Sequence, residues 1–134
     1  MTPEPDAPVW GLVWNRLQQV FDRCSSEIRT KKPDLRVRTG RWGNQHSPFW
    51  AWAAFARSDP TKEDLVLSVT FHDGNGRVRA ETELMEEQGP ILSKLPEENL
   101  DQTDPAGTEA AILRYLDKVE TFIESQLDTI AELV

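Results

Sequence analysis

Residues 64–85, DLVLSVTFHDGNGRVRAETELM, decide the fold of this chain. Apolar and polar side chains alternate on both sides of Asp73-Gly74-Asn75-Gly76. Alternation with a period of two is typical of a strand with one buried face, and Gly and Asn accept the positive φ of a tight turn. The stretch therefore predicts a β-hairpin with inward side chains at Leu65, Leu67, Val69, Phe71, Val78, Ala80, Thr82 and Leu84.

Two further strands precede this hairpin. Residues 35–42 (LRVRTGRW) alternate, whereas residues 49–57 (FWAWAAFAR) are apolar on both sides and so predict a central strand. Short links between the four strands favour an antiparallel meander. Residues 86–103 are broken by Gly89-Pro90, and we expect Ile91, Leu92 and Leu95 to tuck under the edge of the domain. A short fifth strand is an open alternative there.

A helix is predicted on each side of the meander. Apolar residues recur with helical period from Trp10 to Ile28, and Pro33 ends that helix because the residue before a proline avoids the helical region. Asp104-Pro105 supplies an N-cap and a first helical residue for a long amphipathic C-terminal helix. We predict an α+β two-layer sandwich with both helices on one sheet face, a disordered lead over residues 1–8 and a single domain over 9–134.

Composition excludes several classes of protein. The 134 residues carry a net charge of −8 and one cysteine, so no internal disulfide is expected. No apolar run approaches the roughly 18 residues of a membrane span, and the acidic, Pro-rich start is unlike a signal peptide. Cys24, His46 and His72 lack zinc-ligand spacing, and no nucleotide-binding or hydrolase motif occurs. We predict a cytoplasmic protein without cofactor or metal.

The strand period also predicts a working surface. If the residues named above point toward the helices, the opposite sheet face carries three tryptophans flanked by arginines. Each tryptophan can bury about 150–250 Å², so such a face is typical of an interface, where Trp and Arg are frequent hot spots. The predicted partner-binding residues are Arg36, Arg38, Trp42, Trp50, Trp52, Arg77 and Arg79.

Other interpretations of this face remain open at this stage. The arginine stems could cover the tryptophans in cation–π stacks, or residues 86–103 could cover them. A small ligand or single-stranded nucleic acid could also stack there, although the net charge of −8 repels phosphates. An enzyme would use His72 with Ser68 and Thr70, but residues at i and i+2 of a strand lie about 6.5–7 Å apart, too far for direct proton transfer. Cys24 falls on the buried helix face, where its pKa should be raised.

Charge is distributed unevenly along the chain. Residues 1–80 carry a net +3 and residues 81–134 a net −11. On the last helix an acidic surface runs at i, i+4 spacing, which is either a solvated face or a patch for a basic partner. Its members are Glu120, Glu124, Asp128 and Glu132.

The order of elements, helix, meander, helix, together with the acidic charge, is similar to that of bacterial secretion chaperones and toxin-immunity proteins. This resemblance covers the element order and no specific residue. It implies a non-enzymatic protein-interaction module whose ligand is a protein partner or a second copy of the chain. Nucleic acid is disfavoured and no membrane partner is predicted.

Overall fold

The computed structural model describes residues 8–42, 49–74 and 77–134, with the backbone alone at positions 8, 73, 74 and 77. The elements in chain order are α1 (Pro8–Lys31), β1 (Val37–Trp42), β2 (Phe49–Phe55), β3 (Leu65–Gly74), β4 (Arg77–Glu86), β5 (Ile91–Lys94), β6 (Glu98–Asn99) and α2 (Pro105–Leu133). The predicted α+β class is confirmed. Pro8 falls within the predicted lead but opens α1, as the preference of proline for the first helical turn favours. The rest of the predicted lead lies outside the described residues.

The strands form one antiparallel sheet in the order β1-β2-β3-β4-β5. The meander is confirmed, and Gly74 pairs with Arg77 at the predicted hairpin. The fifth strand exists, and the two-residue β6 also pairs with β4. Sequence reasoning missed β6 because two residues are too few to carry a period.

The helices cover one face of this sheet, which we call the inner face. Its central residues are fully buried, with Phe49 opposite Phe71 and Phe55 opposite Leu65 in register. Trp10 of α1 stacks on Phe49 at 5.2 Å between ring centroids, which ties the first turns of that helix to β2.

Both predicted helix boundaries are observed. Asp104 adopts an extended backbone and its carboxylate accepts a hydrogen bond from the Gly107 N–H, with Pro105 in the first turn. α1 ends at Lys31, two residues before Pro33.

The expectation that Ile91 and Leu92 tuck under the domain edge is wrong. Their side chains are 50% and 42% exposed. They lie on β5, the outermost strand on its side, which among the described elements contacts β4 alone. Leu95, just beyond this strand, is half-buried against the core.

A buried hydroxyl pair links the sheet to α2 and gives a stability test. The Thr82 Oγ1 and Tyr115 Oη atoms lie 2.8 Å apart, both side chains are buried, and burial raises the pKa of Tyr115 to about 12. Tyr115→Phe leaves the Thr82 hydroxyl buried without its partner, so we expect urea denaturation to show a loss of about 1–2 kcal/mol in the free energy of unfolding. The double variant with Thr82→Val removes both hydroxyls and should lose less than the sum of the single variants. Strictly additive losses would contradict the pairing.

Candidate functional site

The outer face is the side of the sheet away from both helices. Strand register arranges its residues in three rows that cross β1, β2, β3 and β4 in turn. These rows are Trp42-Trp50-Thr70-Glu81, Gly40-Trp52-Ser68-Glu83 and Arg38-Ala54-Val66-Met85. Ile91 of β5 extends the third row beside Met85.

The three predicted tryptophans all lie on the outer face. Trp42 is 60% exposed and Trp50 is 38% exposed, while Trp52 is half-buried. Trp50 and Trp52 contact each other with their ring centroids 6.2 Å apart. The face therefore presents indole surface to solvent.

Two small residues hold the indoles of β2 against the sheet. The Trp50 Nε1–H donates a 2.7 Å hydrogen bond to the Oγ of Ser68, which satisfies the polar atom of the ring. The Trp52 ring lies over Gly40, so closely that a Cβ at that position would stand 2.6 Å from the Trp52 Cζ2 atom. Sequence reasoning did not assign these roles to Ser68 and Gly40. The available signal was a glycine inside a strand, which often marks a close approach.

The predicted arginines flank the tryptophans. Arg38 donates to Asp64 at 2.9 Å, Arg79 pairs with Glu97 at 2.7 Å, and Arg36 is exposed just before β1. Arg77 lies in β4, but its side chain is outside the described residues.

Among the described residues, no arginine makes a cation–π contact with an outer-face tryptophan, and the strands formed by residues 86–103 do not pair with β2. The cation–π contact among the described residues is elsewhere, with Arg41 over the ring of Trp14 at 5.8 Å. β5 and β6 pair along β4, two strands away from β2.

Two of the three polar residues of the alternative enzyme site, His72 and Ser68, are engaged in other contacts. His72 Nε2 lies 3.1 Å from Glu81 Oε2, and this hydrogen bond holds the pKa of Glu81 below its usual range. Ser68 is buried beneath Trp50 and hydrogen-bonded to it. Burial raises the pKa of the Cys24 thiol to about 12, so Cys24 behaves as the buried apolar residue that the sequence predicted.

Two cavities lie away from the three tryptophans, although Arg36 lines the smaller one. One of about 280 Å³ lies where Lys32 and Leu35 approach Ala56, and an open one of about 490 Å³ lies on α2 beside Phe122. No group of three or more His, Cys, Asp or Glu that could hold a metal ion occurs among the described residues. Across the same residues neither helix has the length and apolarity to cross a membrane.

The predicted acidic surface of α2 lies along α1. Arg23 donates to Glu120 at 2.9 Å and to Glu124 at 3.4 Å, and Lys31 lies 3.3 Å from Asp128. Cations spaced along α1 thus offset the repulsion among carboxylates at i, i+4 on α2. Glu132 is exposed near the end of the helix. Three of the four predicted residues therefore contribute to a helix–helix contact.

No protein-family model matches this chain, and no curated protein and no solved structure matches it either.

The contact between Gly40 and Trp52 predicts an unusual response to alanine. Gly40→Ala forces the Trp52 ring away from the strand, so we expect a loss of about 1 kcal/mol in the free energy of unfolding and an altered near-ultraviolet circular dichroism. Gly11→Ala is the matched control, because a Cβ there meets no atom within 4 Å and the helix should gain about 0.5–1 kcal/mol. A gain in stability from Gly40→Ala, with the aromatic spectrum unchanged, would refute the packing.

The ion pairs between the helices predict a salt-dependent melting temperature. Glu124→Lys with Asp128→Lys places cations beside Arg23 and Lys31, so thermal unfolding should occur at a lower temperature, with a smaller difference from wild type at 0.5 M salt. Adding Arg23→Glu and Lys31→Glu reverses both sides and should restore much of the loss. Equal melting temperatures for wild type and the first variant at low salt would show that the contact contributes nothing.

Proposed function

We propose that this protein is a non-enzymatic interaction module, chaperone-like or immunity-like, that binds a protein partner through its outer face. The observation that carries the proposal is the group of three tryptophans on a solvent-facing sheet, with Trp42 60% exposed. Contiguous exposed apolar surface marks interaction sites, and tryptophan is among the residues that contribute most to binding energy.

The geometry of the indoles supports tight binding. Trp50 and Trp52 are held by Ser68 and Gly40 before any partner arrives. Immobilising a side chain on association costs about 0.5–1.5 kcal/mol, so rings that are already fixed bind at a smaller entropic cost. Arg38, Arg79 and Glu83 surround the aromatic rows and form the polar rim that protein interfaces have.

A protein partner fits this face better than nucleic acid or a small molecule. Glu81 and Glu83 stand in the same rows as the tryptophans, where they would repel phosphate groups. The cavities of about 280 and 490 Å³ are lined by residues other than the three tryptophans.

The proposal is tested with the partner that the full chain captures from its source cell. Trp42→Ala should raise the dissociation constant of that complex tenfold or more, a loss of about 1.4 kcal/mol in binding free energy, because it removes an exposed hot spot. The free energy of unfolding should change by less than about 0.5 kcal/mol, since the side chain is mostly exposed. Both quantities are measurable, by titration calorimetry and by urea denaturation.

Leu12→Ala is the matched control for this experiment. Leu12 is a large apolar side chain, 55% exposed, on α1 rather than on the outer face. We expect it to leave binding unchanged. The proposal fails if Trp42→Ala binds like wild type, or if both variants lose affinity equally.

A further inference from the structure

Among the described strands, β1 is the last on its side of the sheet, so its outer edge, which we call the open edge, pairs with none of them. The carbonyl of Arg36 accepts a 3.0 Å hydrogen bond from the Ala56 N–H, which identifies these two residues as a hydrogen-bonded pair. Such pairs alternate along an antiparallel ladder, so the even-numbered residues of β1 bond to β2. The N–H and C=O groups of Val37 and Thr39 therefore point away from the sheet.

The open edge is suited to accept another strand. β1 has six residues and Thr39 at its middle is exposed. A row of outward N–H and C=O groups is a template for an added strand, which is how several peptide-binding domains hold extended segments. β5, at the opposite edge, has four residues and follows Pro90.

The basic residues near the open edge favour an acidic partner. Residues 31–42 contain five basic residues and one acidic residue in a chain whose total charge is −8, and two of the five, Lys31 and Arg38, already pair with Asp128 and Asp64. Two copies of β1 brought side by side would bring two basic segments together, which is less favourable than pairing with an acidic segment. An acidic segment gains attraction from the same residues.

Resting on the proposed function, we infer that an acidic, extended segment of the protein partner adds to β1 as a further strand. Alternate residues of that segment would line up on the outer face beside Arg38, Gly40 and Trp42. A carboxylate beside Arg38 shares the guanidinium that Asp64 already contacts. An apolar residue beside Gly40 meets the Trp52 indole that covers this glycine. The segment should therefore carry acidic and apolar residues at alternate positions.

Peptide selection tests the predicted chemistry. A displayed library of random 12-residue peptides is selected on the full chain, and the best binders are synthesised. We expect them to be enriched in Asp and Glu and in alternate apolar residues. Failure to select any peptide, or selection of basic or neutral sequences, would overturn the inference.

A pair of variants at one position tests the main-chain contact. Thr39→Pro removes an N–H that points to the open edge and leaves the bonds of the even-numbered residues to β2, whereas Thr39→Val keeps the N–H. For the selected peptide we expect Thr39→Pro to weaken binding at least 30-fold and Thr39→Val to change it less than threefold. Equal binding by the two variants would reject strand addition.

A second measurement on the wild-type chain does not depend on the folding of the proline variant. Two peptides are compared, one methylated on the backbone nitrogens of its odd-numbered residues and the other on those of its even-numbered residues. Only the set whose N–H groups face β1 donates to the open edge, so one methylated peptide should lose binding and the other should keep it. The amide protons of Val37 and Thr39 should exchange more slowly once the peptide is bound. If both methylated peptides bind like the unmethylated one, or if exchange at these two amides is unchanged, the inference is overturned.

The outcomes separate this inference from the proposed function. If Trp42→Ala weakens the captured partner while Thr39→Pro and Thr39→Val bind it equally, the outer face binds partners without strand addition. If Thr39→Pro abolishes binding and Trp42→Ala does not, the outer-face proposal fails instead. A wild-type dimer in sedimentation that Thr39→Pro dissociates would assign the edge to a second copy and overturn the acidic partner.

Discussion

The packing of α1 and α2 against the inner face is the constraint on which the rest of the structure depends. Successive side chains of a strand point to opposite sides, so covering one side decides which residues meet solvent on the other. With Phe49 and Phe55 buried beneath the helices, Trp50 and Trp52 must lie on the outer face. A register slip of one residue would exchange these sets and expose the core. Burial of the inner face thus places the aromatic surface toward solvent.

Small residues do much of the positioning on the outer face. Gly40 gives the Trp52 ring room to lie flat, and Ser68 supplies the acceptor that the Trp50 N–H needs. The hydrogen bond to Trp50 also determines which groups Ser68 can contact. A serine that is buried and bonded to an indole is not available to a histidine, and His72 is bonded to Glu81 instead. In the proposed interaction module, Ser68 serves to hold the Trp50 indole in place.

Charge is organised by contacts between elements. The acidic row of α2 faces the cations of α1, so those carboxylates contribute to helix packing. The basic stretch that includes β1 borders the sheet edge. Positive side chains at a sheet edge discourage pairing with an identical strand, which also carries them, while leaving an acidic strand favoured. Under the proposal, one charge pattern disfavours self-pairing and favours an acidic partner.

Local patterns in the sequence determined the α+β class, the meander, the helix boundaries at Pro33 and Asp104, and the face on which Trp42, Trp50 and Trp52 lie. Each of these depends on residues a few positions apart, through side-chain period, turn preference or capping. Only the tertiary structure decided that Trp52 covers Gly40, that Arg23 meets Glu120, and that Ile91 remains exposed. β6, too short to show a period, also emerged only there. These contacts join residues from different elements, and their partners are set by strand register and helix packing, which no local pattern specifies.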